Sequence, residues 1–214
     1  MATSIRSTIV LLACCLLSFV TASHNITAVP IDGCSAYPGY DATSGGSGNF
    51  YLQAYQTDNS SVDGIGSSLQ YSRGATQIRW GMITLGVRVD EAKVVLRCYD
   101  QVLHGFVATG VSGYTWETLQ FAPYPYDQEL MYLVDGGPAA QAHTLSVDGV
   151  EQEGVFLGAD GVALWGFRYI DASQGCCGVP YYQLRLLGPN SADPNTGAPL
   201  QDGEFTGFLK IAAF

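Results

Sequence analysis

Two Asp-Gly dipeptides, Asp148-Gly149 and Asp160-Gly161, each stand between short runs rich in β-branched, aromatic and leucine residues. Asp-Gly supplies the two left-handed positions of a type I′ turn, whose twist matches that of the strands it joins, so each dipeptide predicts a tight hairpin. In the first, pairing across the turn sets Val147 against Val150 and Leu145 against Gln152, with Thr144, Ser146, Glu151 and Glu153 on the opposite face. That ribbon is expected to be solvated on one side. In the second, Leu157 falls opposite Leu164 and Phe156 opposite Trp165, so both faces are apolar and a ribbon covered on two sides is expected. No segment of ten or more residues carries a convincing 3.6-residue apolar period, which excludes a fold built from amphipathic helices.

Further runs of strand type, bounded by Gly, Asp and Pro, are Phe50 to Tyr55, Val94-Leu96-Cys98, Glu129 to Val134, Tyr182-Leu184-Leu186 and Phe205 to Ile211. Ile78, Trp80 and Met82 alternate with polar or small residues. After Met82 the apolar phase jumps to Ile83, Leu85, Val87 and Val89, which predicts a β-bulge at that point. The expected fold is all-β, a two-layer antiparallel β-sandwich or jelly roll of about ten strands with little or no helix.

The organisation expected along the chain is a signal peptide over residues 1–22, a flexible polar lead-in over 23–49, and a single β domain over 50–214. The first segment has Arg6 near its start, an apolar run of 12 residues from Ile9 to Val20, and small residues at Thr21-Ala22. A run of that length suits a secretory h-region and falls short of the roughly 20 residues of a membrane-spanning helix. Secretion, no membrane span, and an extracellular or cell-wall location are therefore expected. The lead-in ends in Thr43-Ser-Gly-Gly-Ser-Gly-Asn49, a linker composition.

Lys and Arg together number 9 against 19 Asp and Glu. Polyanions such as nucleic acid are excluded as partners, because phosphate binding needs clustered cations. In an oxidising compartment the four cysteines beyond the leading segment, Cys34, Cys98, Cys176 and Cys177, predict two disulfides. A bridge between the adjacent Cys176 and Cys177 is sterically disfavoured, so Cys34 and Cys98 are each expected to bond one of that pair. Asn25-Ile-Thr27 and Asn59-Ser-Ser61 are N-glycosylation sequons at Asn25 and Asn59.

No strong catalytic motif is present, and no cofactor or metal is implied. The stretch Asp193 to Glu204 has some oxygen donors of a calcium loop, but its glycine and proline are misplaced for one, and it reads as a solvated acidic turn. His24, His104 and His143 lack ligand spacing. For a glycoside hydrolase, which needs two carboxyl groups across a cleft, the candidates are Glu117, set among the aromatic residues of Tyr114 to Phe121, and Glu129. Alternation places Glu117 opposite Trp116 and therefore outward. In Phe121-Ala-Pro-Tyr-Pro-Tyr-Asp127 the two prolines favour a stiff extended loop, which either displays Tyr124 and Tyr126 for binding or folds both rings back as a lid.

The leading segment, the strand Phe50-Tyr-Leu-Gln-Ala-Tyr55, the stretch Gly158-Ala-Asp-Gly-Val-Ala-Leu-Trp165 and the strand Tyr181-Tyr-Gln-Leu-Arg185 together resemble small secreted β-rich surface and wall-associated proteins of filamentous fungi, many of unassigned function. The resemblance spans roughly residues 50 to 187 and identifies no functional residue. The function expected is that of a secreted, non-catalytic surface or binding protein associated with carbohydrate, the cell wall or an extracellular protein. The alternative is an extracellular hydrolase using paired carboxylates.

Overall fold

The computed structural model describes residues 24–75, 77–110, 113–175 and 178–214. These form fifteen antiparallel strands: β1 (Ile26–Ile31), β2 (Phe50–Tyr55), β3 (Ser67–Arg73), β4 (Ile78–Leu85), β5 (Leu96–Tyr99), β6 (Val102–Ala108), β7 (Tyr114–Thr118), β8 (Gln120–Phe121), β9 (Leu130–Tyr132), β10 (Gln141–Val147), β11 (Val150–Glu151), β12 (Phe156–Gly158), β13 (Trp165–Ile170), β14 (Tyr181–Leu186) and β15 (Glu204–Ala213). A 3₁₀ turn at Pro125–Asp127 is the single helical element among the described residues. The all-β, sandwich-like fold is thus the one the periodicity predicts. The strand count exceeds ten because runs of two or three residues, such as β8, β11 and β12, carry no alternation to read.

The long strand β15 is the seam of the fold. Phe208–Ala213 pair with β2 and Glu204–Gly207 with β13, while Lys210 also faces Phe156 of β12. One layer continues from β2 through β5 and β6 to β7, and the other from β13 through β14 to β4, β3 and β9. Between them lies a core with Leu52, Leu96, Leu103 and Val107 from the first layer and Leu85, Trp165, Phe167 and Leu184 from the second, all buried. Trp165 Nε1 donates to the Leu157 carbonyl at 2.8 Å, so its one polar atom is satisfied inside this core.

Both Asp-Gly turns adopt the expected left-handed pair, with φ of 52° and 80° at Asp148-Gly149 and 51° and 75° at Asp160-Gly161. The first hairpin has the predicted register, Val147 against Val150 and Ser146 against Glu151. The second does not. It closes one bridge, Ala159 with Val162, and then its arms part: Phe156 pairs with His143 and Lys210, and Trp165 with Leu186 and Gly207. Gly158 lies so close to the Val162 carbonyl that a Cβ there would sit 1.9 Å from the oxygen. Two arms that are apolar on both faces each find a tertiary partner, and those partners override the local pairing.

The bulge also sits elsewhere. The register slips between Ser72–Trp80 and Arg73–Ile78, so Arg79 is the extra residue, and pairing runs without a break through Met82 and Ile83 to Leu85. The apolar run after Met82 reflects cover on both faces of β4, since Met82, Ile83, Thr84 and Leu85 are all buried.

Residues 24–49 are not the flexible lead-in that their composition predicts. β1 pairs with β10 over its whole length, from Ile26–Val147 to Ile31–Ala142. Ile26 and Ala28 pack against Leu145, Phe156 and Phe208, and among the described residues no strand pairs with the second edge of β1, where Pro30 costs no ladder bond. Beyond it, Ser47 N–H donates to the Cys98 carbonyl and Cys98 N–H to Ser47 Oγ, both at 2.8 Å, and the Tyr37 ring stacks on Phe50. This docking sets Cys34 5.4 Å from Cys98 between Cα atoms, and the two form a disulfide. The expected bonding of Cys34 and Cys98 to the Cys176-Cys177 pair is therefore corrected; Cys176 and Cys177 themselves lie outside the described residues.

On the face of the second layer away from the core, Arg185 of β14 is 3% exposed and uses all five of its N–H groups. Nε donates to Glu204 Oε1 at 3.0 Å and Nη2 to Glu204 Oε2 at 2.5 Å, while the remaining hydrogens reach the carbonyls of Tyr126, Ser191 and Pro199. One buried side chain thus ties together the 122–129 loop, the 187–203 loop and β15. Arg185 and Glu204 reach each other across β13 over Gly166, where a Cβ would stand 2.1 Å from Glu204 Oε1.

Candidate functional site

The edge of the first layer is the meander β5–β6–β7, and its alternation sorts side chains sharply. Leu103, Gly105 and Val107 of β6 are buried, whereas Val102 and Phe106 stand on the outer face. Antiparallel partners share a face, so Arg97 and Tyr99 of β5 and Tyr114, Trp116 and Thr118 of β7 lie on that outer side with them. Phe106 is the hub. Its ring centroid is 5.8 Å from Tyr114 and 5.4 Å from Trp116, with the planes inclined by 32° and 50°. The Arg97 guanidinium lies 4.0 Å over the Trp116 ring and 5.6 Å from that of Tyr99, which joins all four rings into one strip and holds the indole in place. Tyr114, Tyr99 and Phe106 are 59%, 49% and 41% exposed, so this is a displayed surface rather than a core.

A cleft opens at each end of the strip. One, of about 370 Å³, lies between Phe106 and Tyr114 on one side and Leu69, Lys93, Val94 and Val95 on the other. The second, of about 500 Å³, lies beyond Tyr99 at the β5–β6 turn and the Cys34 loop. Aromatic faces take the C–H face of a pyranose ring, and polar groups at the rim take its hydroxyls.

Glu117 stands on the other side of β7 from this strip. It pairs with Gly105 and shares the face of Leu103, Val107 and Leu119, so the outward orientation expected for it belongs to Trp116 instead. Glu129 precedes β9, in the other layer, and its carbonyl accepts the N–H of Ala122. The two carboxylates therefore belong to different layers of the fold.

Glu129 has a role of its own. Arg168 Nη2 donates to Gln183 Oε1 at 2.5 Å, and Gln183 Nε2 in turn donates to Glu129 Oε1. Desolvation holds the Glu129 carboxyl above its ordinary range despite that hydrogen bond. A carboxyl whose pKa is higher folded than unfolded favours the native state when protonated, and stability is lost as pH rises through the folded value. Glu129→Gln is expected to match the parent melting temperature near pH 4 and to exceed it at pH 7. Parallel melting curves across that range would contradict the assignment.

Tyr124 and Tyr126 part company. Pro125 does not prolong an extended loop but starts the 3₁₀ turn, for which its fixed φ is suited. Tyr126 folds back, its ring 5.4 Å from the Arg185 guanidinium and its hydroxyl donating to Asp193 Oδ2 at 3.3 Å, while Tyr124 stands 72% exposed. Asp193 caps its own turn by accepting from the N–H groups of Asn195 and Thr196, and Glu204 is turned inward to Arg185, so the calcium-like stretch has its acidic ends committed. Among the described residues no group of three or more His, Cys, Asp and Glu is placed to hold a metal ion. His24 meets Asp148, His104 the Val102 carbonyl and His143 the Gln141 carbonyl, each within about 3 Å. No helix among the described residues is long and apolar enough to cross a membrane.

The strip escaped the sequence reading, although its signal was there: Phe106 in one run and Tyr114-x-Trp116 in the next share a parity. Comparison of the chain with the known protein families and with curated proteins finds no match.

Proposed function

We propose that this chain is a secreted, non-catalytic surface protein that binds carbohydrate of the cell-wall kind through the outer face of β5–β7. The observation that carries the reading is the continuous strip of Tyr99, Trp116, Phe106 and Tyr114 on one exposed sheet face. Contiguous exposed aromatic surface is uncommon on a monomer and marks a binding site. The extracellular setting is supported by the signal-type segment over residues 1–22, by the Cys34–Cys98 bridge and by the exposure of both sequon asparagines, Asn25 and Asn59. The resemblance to wall-associated fungal proteins points the same way.

The test is retention on insoluble chitin, β-1,3-glucan and cellulose. The parent protein is expected to be retained on at least one of them. Phe106→Ser with Tyr114→Ser is expected to lose retention at least tenfold on that polymer while its melting temperature stays within about 4 °C, because both rings are exposed. Tyr124→Ala, remote from the strip in pairing and contacts, is the control and should be retained as the parent is. Retention that survives the double substitution would refute the reading.

A further inference from the structure

Among the described residues three two-residue turns put both central residues in the left-handed region: Asp148-Gly149, Asp160-Gly161 and, between β5 and β6, Asp100-Gln101 with φ of 50° and 63°. The first two place glycine at the second position, where no Cβ interferes. The third places glutamine there, and a non-glycine residue in that region is held under backbone strain. Such strain persists only where the surroundings enforce it, and it concentrates at ligand-binding positions. This tip forms one wall of the 500 Å³ cleft, with Tyr99, Asp100 and Gln101 facing Asp32, Ser35 and Tyr40 on the other wall.

The two walls are fixed to one another. The Cys34–Cys98 disulfide links them, the Ser47 and Cys98 main chains hydrogen-bond, and Asp41 Oδ1 braces the intervening loop by accepting from the N–H and hydroxyl of Thr43. The cleft is therefore preformed, and a ligand need not order it. Tyr99 belongs both to this cleft and, through Arg97, to the aromatic strip, so a sugar chain lying on the strip meets the cleft at its end. The lining has two carboxylates, hydroxyls and an amide, and no Lys or Arg. Carboxylates accept hydrogen bonds from sugar hydroxyls and repel a uronate.

We infer that the cleft at the β5–β6 turn is a selective subsite of the binding face, taking a neutral sugar unit of the chain held on the aromatic strip and rejecting uronic acids. This rests on the proposed carbohydrate reading, and the variants separate the two. The probes are soluble hexasaccharides of β-1,3-linked glucose, β-1,4-linked glucose, β-1,4-linked N-acetylglucosamine and α-1,4-linked galacturonic acid, measured by calorimetric titration. One neutral hexamer is expected to bind at least tenfold more tightly than the galacturonic acid hexamer. Gln101→Gly is expected to raise the melting temperature by about 2 °C through relief of the turn, yet to weaken the neutral hexamer at least fivefold. Asp100→Asn, which keeps the turn, should narrow the gap between neutral and acidic hexamers. Unchanged affinity in Gln101→Gly and an unchanged gap in Asp100→Asn, with binding still lost in Phe106→Ser/Tyr114→Ser, would overturn the subsite and leave the face standing. Binding that survives loss of both rings, or no binding of any probe, would overturn the carbohydrate reading itself, and equal affinity for the acidic hexamer would overturn the selectivity.

Discussion

Arg185→Met is expected to lower the melting temperature by about 6–20 °C, the range that corresponds to a loss of about 3–5 kcal/mol in a domain of this size. The side chain is almost fully buried and none of its five donors is spare, so its removal strands the Glu204 carboxylate, whose side chain is 2% exposed, together with three carbonyls. An uncompensated buried charge costs far more than the pair itself contributes. The same logic makes the remedy specific. Arg185→Met combined with Glu204→Leu removes both charges and should recover a substantial part of the loss, whereas two unconnected substitutions would add. A single substitution that shifts melting by less than 2 °C would show that the 122–129 and 187–203 loops are held by something else.

The second large effect lies at the disulfide. Cys34 and Cys98 close a loop with a sequence separation of 64, for which the chain-entropy relation gives about 4 kcal/mol. Cys34→Ala with Cys98→Ala is expected to lose up to that amount and to loosen the wall of the β5–β6 cleft, because the loop would then be held by the Tyr37–Phe50 stack and the Ser47 hydrogen bonds without a covalent tie. Non-reducing peptide mapping of the parent protein should recover the Cys34 and Cys98 peptides as one linked species. A Cys34 peptide linked to the Cys176-Cys177 peptide would contradict the docking of residues 32–49 described above.

What the sequence disclosed follows the range of the forces that decide each feature. The Asp148-Gly149 turn and the strand Phe50–Tyr55 depend on neighbours in the chain, and both stand where local pattern puts them. The arms beyond Asp160-Gly161 depend on β15, some 40 residues away, and no local rule contains it. The segment 24–49 departs from its linker-like composition for a related reason: an edge strand needs apolar residues on one side only, and Ile26-Thr-Ala-Val-Pro-Ile31 supplies them weakly. At the site, Trp116 and Glu117 have the faces opposite to those their local pattern predicts, because an aromatic residue beside a carboxylate suggests a buried ring and a solvated acid. The pairing with β6 decides otherwise, since the face of Glu117 is that of Leu103 and Val107. Arg185 carried no signal at all; five acceptor atoms from three stretches of chain become visible only when the chain is folded.

The central claim, that sugar lies against the β5–β7 strip, is tested most directly by tryptophan emission. The chain has three tryptophans; Trp165 is sealed in the core, so in a Trp80→Phe background the indole open to a ligand is Trp116. Titration with the soluble hexasaccharide of whichever polymer retains the protein should give a saturable blue shift, lost in Phe106→Ser/Tyr114→Ser. An emission spectrum that stays fixed while the hexasaccharide is bound would place the sugar elsewhere on the molecule and contradict the account.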